Sequence, residues 1–407
     1  LPRRPPLARL MLFAVLTALP AGDAALAQEQ APAAAPAGFS NTLSGLAAKA
    51  RAAGVRQDVV DAALAGLSPD PSLMAKPTKQ PEFSRPLQDY VADAASPARA
   101  ARGRALATQW RPSLEAAAAA SGVPGAMLLA LWAMETDYGR DQGARDVLRS
   151  LATLAFARPE TPSFGDEVVA ALVMLQHGVA RDRLRGSWAG AMGNPQFLPS
   201  AYLKHAVSLE GRPNPDIWTS VPDSLASIGN FLKNSGWAPG APAAVEVVLP
   251  AGFEIASLRQ DARAWARAGL RSADGSPLPD AGEAMLFLPS GAKGPAFLLY
   301  PNFFVLKVYN FSDSYAMAAA VLADRIAGGP GVRAPWPKGE KLLGQSDRAR
   351  LQRTLAALGL YQGQVDGRFG PVTREAIHAF QRRIGWKPAD GYPSAEILAR
   401  AVAEAGG

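Results

Sequence analysis

Two short segments carry the residue types that could do chemistry. In residues 121–139 (SGVPGAMLLALWAMETDYG), Leu128, Leu131 and Glu135 follow at i, i+3 and i+7, on one face of a helix. Met127 and Met134 flank that face, and Trp132 lies close by. An apolar stripe normally ends in another apolar residue; here a glutamate fills the slot in the last turn, before Gly139. Partial burial and the negative end of the helix dipole would both favour the protonated carboxyl. A carboxylic acid that keeps its proton near neutral pH is what glycosidic cleavage asks of a donor. Spacing alone favours a solvated last-turn glutamate.

The second segment, residues 186–202 (GSWAGAMGNPQFLPSAY), mixes small residues with a hydroxyl, an amide and aromatics. Gly190, Ala191 and Gly193 would let a flat ligand approach the backbone. Ser187 and Gln196 can hydrogen-bond sugar hydroxyls and N-acetyl groups. Trp188, Phe197 and Tyr202 suit stacking on pyranose faces or filling a core. A tight turn between helices would use the same composition.

These segments need a scaffold, and the chain is long enough to supply one. Its 407 residues suggest two or three domains at roughly 100–200 residues each. With 48% apolar and 19% charged residues the composition is globular. There is no cysteine, which excludes a disulfide framework, a thiolate metal site, a cysteine nucleophile and a lipid-modified cysteine. The histidines, His177, His205 and His378, are far apart, so no multi-histidine metal centre is expected. The net charge of +7 suits an acidic polymer, either nucleic acid or bacterial cell wall.

The N-terminus favours the wall. Arg3, Arg4 and Arg9, the apolar run 10–19 and Ala25-Leu26-Ala27 have the three parts of a secretory signal over 1–27. An exported basic protein rarely meets nucleic acid. No later stretch reads as a membrane helix, so the mature protein is expected in the periplasm, soluble and without an anchor.

Residues 28–38 read as a Pro/Ala linker. From 39 to 327 the period is mostly helical, with helices expected over 43–53, 59–67, 86–93, 102–120, 124–135, 147–157, 166–179, 199–208, 224–235 and 314–326. The runs 244–249, 283–288 and 297–309 read as strands, with a short helix at 261–270, giving a small inserted α/β subdomain over 241–310. The Gly/Pro-rich stretch 328–340 reads as a linker that would let the parts on either side move independently. Residues 341–407 form a compact unit beyond it.

Several segments together resemble one family. Glu135-Thr136-Asp137-Tyr138-Gly139 resembles the E-T-x-x-G motif of the membrane-bound lytic transglycosylase B family. Residues 186–202 resemble its G-S-x-A-G-A-M-G-x-x-Q-F-x-P-S-x-Y motif. Gln80-Pro81-Glu82-Phe83, Pro301-Asn302-Phe303, Tyr309-Asn310 and Tyr315-Ala316-Met317-Ala318 match further family segments in the correct order. The C-terminal unit, with Leu351-Gln352, Leu358-Gly359-Leu360-Tyr361, Val365-Asp366-Gly367, Phe369-Gly370, Thr373, Phe380-Gln381 and Asp390-Gly391, resembles the peptidoglycan-binding domain 1 family.

The resemblance implies a mainly α fold: a lysozyme-like helical catalytic domain with a small inserted β-sheet subdomain, plus a C-terminal three-helix peptidoglycan-binding module. It implies cleavage of peptidoglycan strands to 1,6-anhydro ends, with Glu135 as acid and then base. Ser187, Gln196, Tyr309 and Asn310 match residues that line the family's glycan groove; Tyr138, Tyr202 and Tyr315 are weaker candidates. The implied partner is peptidoglycan strands; the wall-synthesis machinery is a further candidate that the sequence does not identify. No cofactor is implied.

Some positions depart from the pattern. Pro195 stands where Gly or Thr is common, and Glu160 and Thr161 stand where a relative carries a basic pair. Residues 208–219 (SLEGRPNPDIWT), the counterpart of a relative's acidic calcium loop, carry Arg212 and Pro213 and lack alternating oxygen ligands, so no metal is expected. Asp137 would face another side of the helix from Glu135 and is not expected to act as a second carboxylate. Asp366 reads as a turn former and His378 as a helix-surface residue. A lysozyme-type muramidase and a non-catalytic wall-binding protein are the competing readings.

Overall fold

The computed structural model describes residues 37–74 and 85–406. The signal-like stretch 1–27, nearly all of the 28–38 segment and the Gln80-Pro81-Glu82-Phe83 motif fall outside that range.

Two compact units arise from interleaved stretches of chain. In the first, within 37–74, Trp110–Ser121 and Leu131–Phe231, the helix Val147–Ala157 packs against Ser163–Gln176, and Ala37–Ala52 covers both. Val147, Leu148, Leu151, Ala152 and Leu154 give Val147–Ala157 a fully buried face. Asp146 caps that helix by accepting from the Arg149 backbone N–H. Two short antiparallel strands, β1 (Arg145–Asp146) and β2 (Arg185–Gly186), lead into the glycine-rich loop. The helix expected over 102–120 is two, Pro97–Gln109 and Arg111–Ser121, with a turn at Trp110. Pro112 sits in the first turn of the second helix, where a missing N–H costs nothing, and could not have continued the first.

The second unit contains a five-stranded antiparallel sheet of β3 (Ala244–Val248), β4 (Arg259–Asp261), β5 (Arg271–Ser272), β6 (Glu283–Phe287) and β7 (Ala296–Leu299). Their spatial order is β4-β6-β7-β3-β5, and Leu298 of β7 lies opposite both Val245 and Leu286. The strand expected over 297–309 ends at Leu299; Pro301–Tyr309 is a helix. Pro301 opens it, and an apolar run of this length does not by itself separate strand from helix. Asn302, fully buried, ties the helix start to the preceding loop, accepting from Ala238 N and donating to the Ala238 and Ala241 carbonyls. The helix Asp313–Ile326, capped by Ser312, packs against Leu87–Ala94, Pro97–Gln109 and Pro301–Tyr309.

The C-terminal helices Gln345–Ala357, Pro371–Arg383 and Ala395–Gly406 enclose Leu351, Leu355, Ile377, Phe380, Ile397 and Ala401. Gln352 is fully buried, and its amide oxygen accepts from Asp366 N and Gly367 N, holding the turn. Asp366 accepts from Arg368 N, as a turn former does.

This module rests on the sheet region rather than trailing from it. Arg259 pairs with Glu375, Arg382 donates to the Ala256 carbonyl, and the Arg374 guanidinium lies 4.5 Å from the Phe287 ring centroid. His378 is buried with Nε2 2.9 Å from the Ile255 carbonyl, so it is an interface residue and not the surface histidine expected. The 328–340 segment is pinned as well: Glu246 accepts from Arg333 N and Ala334 N, and Glu340 accepts from Ser290 and Tyr392 hydroxyls. Independent motion inferred from Gly/Pro content is corrected by these contacts.

Candidate active site

The helix Gly125–Thr136 buries every side chain from Met127 to Met134. Glu135 and Thr136 follow at 8% and 1% exposure, so the glutamate is enclosed and not solvated. The helix stops sharply: Asp137 and Tyr138 adopt left-handed φ values of +50° and +62°, with Gly139 at +84°. Asp137 therefore lies outside the helix, not on another of its faces, where it pairs with Arg140. Thr136 closes the end: its hydroxyl oxygen accepts from Gly139 N and donates toward the Trp132 and Asn194 carbonyls. Tyr138 packs edge-on to Trp132 at 5.6 Å.

The glycine-rich loop folds back on itself. Met192 and Phe197 exchange backbone hydrogen bonds of 2.8 and 3.0 Å. Ser187 is buried, and its oxygen accepts from Ala191 N, which leaves its O–H to donate. Gln196, at φ +50°, donates to the Gln142 and Gly193 carbonyls, which occupies its N–H groups and leaves its amide oxygen as the acceptor. Asp137, Tyr138 and Gln196 are the non-glycine residues with positive φ among the described residues, and strained backbone of this kind concentrates at functional sites.

The glycines have a different role from the one the composition suggests. A Cβ on Gly190 would lie 2.6 Å from Leu151, and one on Gly193 2.6 Å from the Ile217 carbonyl. Their lack of a side chain admits neighbouring protein, not a ligand.

Tyr202 is 5% exposed, donates to the Pro215 carbonyl and packs on Trp218, and burial pushes its pKa up to about 12. These contacts give it a packing task. Nearby His205 stacks on Phe231 at 4.8 Å, and burial lowers its pKa to about 4. Glu167 is also buried, which raises its pKa against the two hydrogen bonds it accepts from Ser200.

Glu135, Tyr138, Ser187, Gln196 and Tyr202 belong to the first unit; Tyr309, Asn310 and Tyr315 belong to the second. Tyr309 and Tyr315 are buried. Asn310 is 4% exposed: its oxygen accepts from Ser312 N, while its amide nitrogen has no partner. In the 208–219 loop, Arg212 pairs with Glu210 and the fully buried Asp223. No group of three or more metal-ligating side chains occurs among the described residues. Nor is any single described helix long and apolar enough to cross a membrane.

Sequence reasoning missed Asn194. Its neighbours in the motif drew attention as ligands or glycines, and an asparagine between Gly193 and Pro195 reads as a turn. The signal that could have found it is an amide side chain inside a segment of small and apolar residues.

Residues 38–324 match the transglycosylase SLT domain family, well over half of the chain. The chain belongs to that family. Residues 344–400 match the putative peptidoglycan binding domain family. SltB3 from Pseudomonas aeruginosa, solved in complex with NAG-anhNAM-pentapeptide, is 42% identical; the match covers 89% of this chain and 99% of that one, with a TM-score of 0.80. The Escherichia coli lytic transglycosylase Slt35 in complex with bulgecin A is 27% identical over 72% of this chain and 93% of its own, with a TM-score of 0.58. Membrane-bound lytic murein transglycosylase B of Escherichia coli K12 is 34% identical over 232 residues, 54% of this chain. The chain spans 61% of that relative's length. This chain thus has a mainly helical, lysozyme-like fold with small sheets and a C-terminal helical module.

Proposed function

We propose that this protein is a lytic transglycosylase that cleaves the β-1,4 bond between N-acetylmuramic acid and N-acetylglucosamine in peptidoglycan. The observation that carries the reading is Glu135, a carboxyl enclosed at the end of an apolar helix in a chain of the SLT-domain family. Binding of NAG-anhNAM-pentapeptide by a 42% identical relative supports an anhydro product.

In this mechanism protonated Glu135 gives its proton to the glycosidic oxygen as the C1–O bond breaks. Positive charge at muramic C1 is relieved by the neighbouring acetamido oxygen and the dipoles around the site. Glu135, now a carboxylate, takes the proton from the 6-hydroxyl of the same sugar, and that oxygen bonds to C1. The acid is regenerated and no water is consumed. One carboxylate suffices because the nucleophile is intramolecular and profits from a high effective concentration.

Ser187, through its O–H, and Gln196, through its amide oxygen, are the groups we assign to sugar recognition in the first unit. In the second unit we assign Asn310, whose amide nitrogen has no protein partner, with Tyr309 and Tyr315 as its neighbours in sequence. Tyr138 is the aromatic we place nearest the reaction; Tyr202, held by the Pro215 carbonyl and Trp218, supports the site through packing. The 344–400 module serves wall attachment. Peptidoglycan as substrate, the positive charge and the signal-like residues 1–27 together fit work in the periplasm, where the wall-synthesis machinery is the natural further partner.

The test is mass spectrometry of purified peptidoglycan digested by the protein, before and after borohydride reduction. Products that resist reduction and lack one water support the transglycosylase. Reducible ends mean that water is the nucleophile and the protein is a muramidase. Glu135→Gln should bind peptidoglycan and release no product; release near the native rate would remove Glu135 from the mechanism.

A further inference from the structure

We infer that Asn194 is a positioning residue for Glu135: one buried side chain clamps the end of the catalytic helix to the glycine-rich loop. The inference rests on the reading of Glu135 as the acid and base.

Asn194 is 2% exposed and uses all four of its polar groups. Its amide oxygen accepts from Trp132 Nε1 (2.9 Å) and Gln142 Nε2 (3.1 Å). Its amide nitrogen donates to Ser224 Oγ (3.0 Å) and the Trp218 carbonyl (3.4 Å). Its backbone carbonyl accepts from Thr136 Oγ1 (3.2 Å), and its backbone N–H donates to the Ile217 carbonyl (2.8 Å). An indole N–H can only donate, so Trp132 fixes which way the amide faces.

Two of these partners bracket Glu135. Trp132 precedes it by three residues, one turn back, and Thr136 follows it directly. The same asparagine holds both, and its other contacts reach 217–224. Gln142 extends the frame, because its own carbonyl accepts from Gln196 Nε2 (3.2 Å). Trp132 and Thr136, on either side of Glu135, and Gln196 therefore belong to one hydrogen-bonded network with Asn194 at its centre. Gly139 is shaped by the same atom: a Cβ there would stand 2.7 Å from the Asn194 amide oxygen. A displacement of the order of 1 Å at a proton donor costs about 100-fold in rate, so a residue that sets this position acts on turnover more than on binding.

The experiment measures kcat, KM and the thermal unfolding midpoint on soluble peptidoglycan strands for the full chain, with Glu135→Gln as control. Asn194→Ala should lower kcat by roughly 10- to 100-fold and leave KM within about twofold. Asn194→Asp keeps the oxygen that accepts from Trp132 and Gln142 but turns a second oxygen toward the Trp218 carbonyl, so it should lower kcat as Asn194→Ala does. Trp132→Phe removes the indole N–H and leaves a smaller aromatic ring, so its kcat is read beside its unfolding midpoint; it should lower kcat in the same sense, and it carries the test if Asn194→Ala does not fold. The losses from Asn194→Ala and Trp132→Phe should not add when combined, since both break the same bond. A kcat unchanged in Asn194→Ala or Trp132→Phe, or a loss confined to the unfolding midpoint, would overturn the inference. Native turnover by Glu135→Gln would instead overturn the reading it rests on.

Discussion

At Gly139 the helix end and the glycine-rich loop meet within a single missing methyl group. With φ at +84° and a Cβ position 2.7 Å from the Asn194 amide oxygen, Gly139→Ala should cost about 1–3 kcal/mol. Because it pushes on Asn194, turnover should fall further than the unfolding midpoint alone accounts for; assays well below the melting temperature would show this. His205 supplies a prediction in pH. Its folded pKa of about 4 lies below the ordinary 6.5, so the unfolded chain binds the proton first as pH falls. Stability conferred by neutral His205 is whole above about pH 6.5 and is lost on the way to pH 4, up to about 3 kcal/mol. Denaturant titrations at several pH values should record that loss, and His205→Phe should flatten it. The enclosure of Glu135 was only partly legible: a charged group in an apolar stripe breaks a pattern, but spacing alone favoured a solvated glutamate, and its proposed role came from the motif resemblance. Asn194 was not, because its partners lie up to 62 residues away and nothing in local spacing announces them.

Helix and strand assignments followed periodicity where one face is buried and failed where it is not informative. The run 297–309 is apolar throughout, so only Pro301 marks the change from strand to helix. The P-N-F segment there matched a family motif; the structure gives its asparagine a structural task. Asn302 satisfies one buried N–H and two carbonyls at once. Asn302→Ala should therefore destabilise the protein by about 2–4 kcal/mol. Asn302→Asp should do at least as much damage at neutral pH, because it loses both donors and turns a carboxylate toward two carbonyl oxygens. Calorimetry on the two variants would settle the order.

On the scale of the whole molecule, the three-helix module was readable from its own motifs, but its attachment was not. Gly and Pro between 328 and 340 suggested a free tether. The contacts that pin it come from Glu246, 87 and 88 residues before Arg333 and Ala334, and from Ser290 and Tyr392 through Glu340. Composition reports what a segment can do alone, and these partners are remote in sequence. Limited proteolysis should leave the bonds between 328 and 340 uncut in the native protein. Glu246→Ala frees two backbone N–H groups, and cleavage near Arg333 should then appear.

The left-handed pair Asp137-Tyr138 has a consequence for how this enzyme could be improved or worn down. Glycine would sit in those conformations without penalty, yet two bulkier residues are kept there. A Tyr138→Gly chain would have an easier backbone and no ring against Trp132. With Tyr138 next to the reaction as proposed above, selection for robustness and selection for turnover would pull this position in opposite directions, and a library screened for heat tolerance alone would tend to return proteins that survive longer and cut more slowly.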